Sequence, residues 1–289
     1  MHFRNWVCMK LGFVQFEPIH YRDAFQIADE YGFDYVELQM AYVAAGTDQL
    51  GRTVLADRAD EITDLQATHG VDLSIHLPHS MDIGATSDRI RTASVAETRE
   101  CLRTAATLDA DRCVIHPTSS ARTRVWTPTH IRDRIVESIV ELDADAADLG
   151  IELCMENMYH SVFSIDAFDR FFDETDCSMT LDTGHARASG LTSAEIGAFV
   201  AANADRIGHV HANDNKSFVV PAGEAPADDH LPVGVGDIDF ATALGPLPDS
   251  WGGTVSLEMH TASPEYLAVG KRHFLEMLED ANGGDSSAV

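Results

Sequence analysis

Short apolar runs alternate along this chain with longer runs of helical period. KLGFVQF, from Lys10, gives way to IHYRDAFQIADEYG, whose apolar residues recur at three- and four-residue spacing. Pro18 stands near the start of that helical stretch, and Gly32 suits its exit. YVEL, DLSIH, RCVIH, IELCME, CSMTLD, RIGHVH and TVSLEM follow as predicted strands. Predicted helices lie between them, over VLADRADEITDLQATHG, SDRIRTASVAETRECLRTAATLDA, RIVESIVELDADAADLG, SIDAFDRFFDE, LTSAEIGAFVAANA and IDFATALGPL. A Pro- and Gly-containing segment from about Ser217 to Gly236 precedes the last of these, and SPEYLAVGKRHFLEMLED closes the series. Eight strand–helix units with no composition break predict an α/β fold, a single (β/α)8 TIM barrel over residues 1–280. A GxGxxG after the first strand would favour an open dinucleotide-binding sheet, and it is absent. Residues 281–289, ANGGDSSAV, have few apolar groups to bury and are predicted to form a disordered acidic tail.

The ends of the predicted strands share a chemistry. Glu37 follows YV, His76 follows DLSI, His116 follows RCVI, Glu156 follows IELCM, Asp182 follows SMTL, His211 follows HV and Glu258 follows TVSL. His185 comes three residues after Asp182. In a barrel these C-terminal ends gather around one mouth. An acid or imidazole beside a low-dielectric core must be paired, protonated or metal-bound. One such residue can be structural; seven in step point to a shared centre. Mixed carboxylate and imidazole donors suit Zn²⁺, Mn²⁺, Co²⁺ or Fe²⁺, whereas oxygen-only sites favour Mg²⁺ or Ca²⁺. Spacing alone does not count the ions. His2, His20, His69, His130, His160 and His273 read as surface or packing residues.

Charge sets the surroundings. Asp and Glu number 47 against 20 Lys and Arg, a formal net charge of −27. The acids are spread along the chain, and Lys occurs only at Lys10, Lys216 and Lys271. Excess charge of one sign repels itself in dilute solution and is relieved by salt, so a salt-adapted cytoplasm is the expected setting. A broad basic surface for nucleic acid is excluded, though not a local one. No window approaches the roughly 18 apolar residues of a membrane span, and the N-terminus lacks the pattern of a secretory signal. Five cysteines, Cys8, Cys101, Cys113, Cys154 and Cys177, are widely spaced with no CxxC, and read as reduced core residues.

LDTGHA at Leu181–Ala186, HVHANDN at His209–Asn215, HLPVGVGDIDF at His230–Phe240 and SLEMH at Ser256–His260 resemble the xylose-isomerase-like TIM-barrel superfamily. That superfamily holds sugar and sugar-phosphate isomerases and epimerases together with endonuclease IV. The resemblance spans nearly the whole chain but does not select one substrate. Its isomerase and epimerase branch implies one divalent ion on Glu156, Asp182, His211 and Glu258, with Mn²⁺ or Zn²⁺ ahead of Co²⁺, Mg²⁺ or Fe²⁺. Its endonuclease IV branch implies three zinc ions, and the corresponding positions add His76, His116, His185, Asp228 and His230.

The isomerase reading implies a small sugar, sugar phosphate or polyol as substrate, with nucleic acid a partner only under the alternative. Glu156 and Glu258 would move protons, and His185 would shuttle them or bind hydroxyls. Glu37, His76, His116, His209 and Lys216 would contact substrate, although Glu37 reads equally as a buried ion-pair partner. Asp214 would serve the second shell or a phosphate, or simply cap its loop. A homo-oligomer is compatible with all of this. Two departures separate the chain from endonuclease IV: KLGFVQFEP replaces its GxHxS first-strand motif, and His79 and Ser80 replace its aromatic–aliphatic DNA probe.

Overall fold

Strand side chains alternate between two faces, and here both faces are buried. A computed structural model describes residues 9–41, 50–159, 161–216, 228–261 and 263–283. Its strands are β1 (Lys10–Gln15), β2 (Tyr35–Gln39), β3 (Asp72–His76), β4 (Arg112–Ile115), β5 (Glu152–Glu156), β6 (Ser178–Asp182), β7 (Ile207–Ala212) and β8 (Thr254–Leu257). Each pairs in parallel with the next, and β8 returns to β1, closing the predicted (β/α)8 barrel.

One face of each strand packs outward on the helices. Val36, Leu38, Ile75, Ile115, Met155, Leu181, Val210 and Leu257 join Phe25, Ile62, Leu102, Ile135 and Phe274 in one continuous apolar cluster. Burial of this shell drives closure. The other face points into the barrel and carries the polar residues, Glu37, His76, Glu156, Asp182 and His211 among them, all buried.

The helices are α1 (Tyr21–Tyr31), α2 (Arg52–Ala56), α3 (Ala59–His69), α4 (Asp88–Thr107), α5 (Pro128–Asp148), α6 (Phe168–Glu174), α7 (Thr183–Ala188), α8 (Ser193–Asn203), α9 (Phe240–Leu244) and α10 (Pro264–Gly283). A 3₁₀ turn, Ile165–Ala167, leads into α6. Several expectations are corrected in detail. The strict one-to-one alternation fails where the single helix expected after β2 breaks at Asp57 and Arg58 into α2 and α3. TGHARA forms α7, an extra short helix capped by the Asp182 side chain. Pro18 lies in the turn ahead of α1, whose N-cap is His20, while Gly32 closes that helix at φ 68° as expected. The closing helix runs to Gly283, into the expected tail; residues 284–289 lie outside the described residues, as do 217–227 of the expected loop.

One irregularity shapes the mouth. Between β6 and β7, Met179 pairs with Ile207 but Thr180 pairs with His209, so Gly208 is an extra residue. A bulge of this kind re-aims the residues beyond it. Ile207 belongs to the outer apolar shell, while His209 and His211 both face inward. A Cβ on Gly208 would lie 2.2 Å from Glu152 Oε1, so a larger residue there would have to displace the end of that side chain.

Among the described residues no helix is long and apolar enough to cross a membrane. Cys101, Cys113, Cys154 and Cys177 are buried and free, as predicted, and Cys8 lies outside the described residues.

Candidate metal centre and active site

The strand ends do converge. Glu156, Asp182, His211 and Glu258 each offer a ligand atom, all lying within 4.8 Å of one another. Two further groups flank them at the same spacing, His76–His116–Glu156 on one side and His185–Asp228–His230 on the other. Glu156 is the hub: its Oε2 lies 3.0 Å from His116 Nε2, 3.5 Å from His76 Nε2 and 3.6 Å from His211 Nδ1, and its Oε1 lies 3.0 Å from His185 Nδ1.

Hydrogen bonds around the rim decide which nitrogen of each ring faces inward. His76 Nδ1 lies 3.0 Å from the Leu77 carbonyl, His185 Nδ1 3.0 Å from that of Asn157, and His230 Nδ1 3.2 Å from that of Glu258. A carbonyl only accepts, so each ring donates Nδ1–H there and leaves Nε2 to take either a second proton or a cation. His76 Nε2 then faces His116 Nε2 at 3.1 Å, and the Nε2 atoms of His185 and His230 face one oxygen, Asp228 Oδ2, at 3.0 and 2.7 Å. His211 Nδ1, Glu156 Oε2 and Asp228 Oδ1 are buried without a hydrogen-bond partner. Lone pairs aimed at lone pairs, with orphaned acceptors between them, require a proton or a cation. The donor set therefore fits divalent metal of the N/O-preferring kind.

Without a cation, the buried charges of the cluster themselves favour protons. Burial raises the Glu156 carboxyl, but His116 and His211 outweigh it and hold it well below the usual range. Glu258 is likewise raised by burial and brought down to about 2, chiefly by His211 and His230. Burial pushes Asp182 up to about 8, with Glu258, Glu156 and Asp228 adding to the rise against the pull of His185. His211 moves well above the usual histidine range, burial being outweighed by Glu258, Glu37 and Glu156. Asp182 and His211 thus hold protons near neutrality, and an incoming cation must displace them. Apparent metal affinity is expected to rise with pH through about 8, where Asp182 gives up its proton, and beyond it while His211 keeps one, by up to about tenfold per unit for each proton displaced. Competitive zinc titration between roughly pH 6.5 and 7.5 measures this; an affinity independent of pH would show that no such protons are displaced.

Two asparagines complete the cluster, and neither carries a role in the sequence reading. Asn213 Nδ2 donates to Asp182 Oδ2 at 2.8 Å and Glu258 Oε2 at 3.3 Å. It fits because residue 184 is glycine, where a Cβ would sit 1.7 Å from Asn213 Oδ1. Asn157 grips the Asp182 backbone from both sides, donating to its carbonyl and accepting its N–H. Both follow a strand end directly, which was the available signal. His260 was also missed; it stacks on His230 with centroids 4.3 Å apart and meets Phe16 edge-to-face at 4.5 Å. Phe16, Gln15, Gln39 and His260 line a cavity of about 780 Å³ at the mouth.

Other expectations sort by position. Glu37 and His209 are fully buried and bonded to each other one layer beneath the cluster, so their expected contact with substrate is corrected to an internal one. His76 and His116 sit in the ligand cluster. Lys216 is exposed at the edge of the described β7–β8 loop. Asp214 caps that loop, accepting N–H bonds from Asn215, Gly234, Gly236 and Ile238. His20 caps α1, His69 lies 3.0 Å from Asp29, and His130 stacks on Trp126, as expected of structural residues. His2 and His160 lie outside the described residues.

The family profile described as xylose isomerase-like TIM barrel matches residues 25–278. The chain belongs to that family. Uncharacterized protein MJ1311 of Methanocaldococcus jannaschii is 27% identical over 268 residues, covering 88% of this chain and 85% of its own. Among solved structures, a D-tagatose 3-epimerase-like protein superposes with a TM-score of 0.74 at 23% identity, covering 95% of this chain and 99% of its own. IolI with a bound zinc atom gives 0.73 at 18% identity, covering 97% and 100%. L-Ribulose 3-epimerase gives 0.71 at 18%, covering 95% and 96%. At these identities the likeness carries the xylose isomerase-like fold.

Proposed function

We propose that this chain is a divalent-metal-dependent isomerase or epimerase of a small sugar, sugar phosphate or polyol, working by carboxylate-mediated proton transfer. One observation carries the reading. Glu156 on β5 and Glu258 just past β8 approach His211 Nδ1 from separate strands, at 3.6 and 3.3 Å, and share a ligand group with Asp182. The folds of the two epimerase-related neighbours and of zinc-binding IolI support it. Mn²⁺ or Zn²⁺ is the proposed ion, held by Glu156, Asp182, His211 and Glu258. Bound there, it would polarise a carbonyl and acidify the neighbouring C–H. One glutamate takes the proton from a face of the substrate carbon and the other supplies one to the opposite face, which inverts that centre; return to the adjacent carbon exchanges aldose and ketose. His185, locked by the Asn157 carbonyl, binds a hydroxyl or relays the proton. The proposal includes a salt-rich cytoplasm, supported by the −27 charge, and allows a homo-oligomer.

A second reading has its own observation. The three contiguous ligand groups would also suit a zinc cluster that activates water on a phosphodiester at abasic sites in DNA. Against it, the loop after β3 presents exposed His79 and Ser80 instead of an apolar wedge, and the exposed cations of the β4–α5 loop are Arg122 and Arg124. Such a supply is thin for a phosphate track. Incubation of metal-loaded protein with ketoses in D₂O at high KCl, and separately with an abasic duplex, tests both. Epimerisation or isomerisation is expected, with deuterium entering at the reacting carbon where the proton escapes. Efficient nicking at the abasic site, abolished in Glu156→Ala and His116→Ala, would overturn the proposal in favour of the second reading.

A further inference from the structure

Three imidazoles of the cluster, His76, His185 and His230, have Nδ1 within reach of a backbone carbonyl, which no substitution removes. His211 is different. Its Nε2 lies 3.0 Å from Glu37 Oε1, so its orientation rests on a fully buried side chain. The hydrogen bonds around Glu37 have a consistent direction. Arg112 Nη1 donates to Thr254 Oγ1, which frees the threonine hydroxyl to donate to His209 Nδ1 at 2.6 Å. His209 Nε2 is thereby left as a donor to Glu37 Oε2 at 3.0 Å. Tyr35 OH lies 2.9 Å from Ser256 Oγ, and Ser256 Oγ in turn donates to Glu37 Oε2. Two chains of donors thus end on one carboxylate, whose remaining oxygen is offered to His211. The Glu37–His209–His211 trio has ligand spacing, but its oxygens and Nε2 atoms are already consumed as hydrogen-bond pairs.

We propose that Glu37 is a positioning residue for the metal centre: it holds His211 in the tautomer with Nε2–H outward and Nδ1 bare toward Glu156, Asp182 and Glu258. This rests on His211 being a metal ligand, as in the proposed function. A carboxylate in this place also makes the imidazole a stronger donor than a carbonyl would, and loss of such a partner costs about 10–100-fold in metal affinity. Glu37→Gln keeps the shape but cannot accept from both rings at once. Its Zn²⁺ and Co²⁺ affinities are expected to fall at least about tenfold, with a changed Co²⁺ visible spectrum. Val36→Ala disturbs the neighbouring position of β2, whose apolar side chain lies in the outer shell, and is expected to bind metal within about twofold of wild type, set against that loss.

A measurement on the unaltered protein stands beside the variants. In the zinc-loaded wild type, ¹⁵N-histidine NMR is expected to show His211 protonated at Nε2 and metal-bound at Nδ1. The opposite tautomer, wild-type affinity in Glu37→Gln, or an equal loss in Val36→Ala would each overturn the positioning role while leaving the metal reading intact. A wild-type protein that binds no divalent ion would overturn both, whereas metal binding without sugar turnover would overturn only the proposed reaction.

Discussion

Glu156→Gln is expected to empty two ligand groups with one substitution. Glu156 belongs both to the His76–His116 group and to the Asp182–His211–Glu258 group, and four imidazoles lie around its two oxygens. An amide of the same shape removes the charge that those rings face and replaces one of the two oxygens by an NH₂ that cannot ligate. It also removes one of the anions that raise Asp182, so the remaining carboxyl titrates lower than about 8. Bound metal after dialysis should fall by more than half, and turnover on any substrate by roughly 10²–10⁴-fold, the usual cost of losing a positioned proton-transfer group. His116→Ala, which touches one group only, should lose less metal. Elemental analysis and steady-state rates measure this; wild-type stoichiometry in Glu156→Gln would show that the hub is not a ligand.

The second large effect is on the fold. Many surface arginines are already matched, as in Arg22–Glu61, Arg52–Glu97, Arg99–Asp145, Arg134–Asp88 and Arg170–Asp133. The 47 acids against 20 Lys and Arg therefore leave a surplus that only solution ions can screen. The screening length falls from about 10 Å at 0.1 M salt to about 3 Å at 1 M. Relief of several kcal/mol, at about 2–4 °C per kcal/mol for a chain of this size, should raise the unfolding midpoint by on the order of 10 °C. The rise should be steepest below about 1 M, where screening changes most. Thermal unfolding followed from about 0.1 to about 3 M KCl tests this; a flat or falling midpoint would remove salt adaptation.

All eight strands were legible because each is a short apolar run ending in a polar residue, bounded by helical periodicity. The break between α2 and α3 was not, since Asp57 and Arg58 interrupt no apolar spacing. Helix α7 was hidden by its length; its one mark is Asp182, which serves both as cap and as ligand candidate. The cluster itself was legible as strand ends. Depth was the weaker reading: Glu37 and His209 lie two residues short of Gln39 and His211, and two strand residues span about 6.6 Å, a full layer of the barrel. Counting from each strand's last residue would have placed both below the mouth. The roles of Asn157 and Asn213 depend on what the fold brings beside them, Asp182 and the bare backbone of Gly184, and no spacing in the chain encodes that.

The extra residue at Gly208 separates two stretches of β7 that are each in step with β6. Ile207 lies opposite Met179 in the outer shell, while His209 and His211 lie opposite Thr180 and Asp182 on the inner face. Loss of Gly208 would leave plain alternation and keep both imidazoles inward. An insertion between His209 and His211 would instead turn His211 out among the helices and leave Glu37 and Asp182 without it. Slack in this strand is thus tolerated below His209 and not above it.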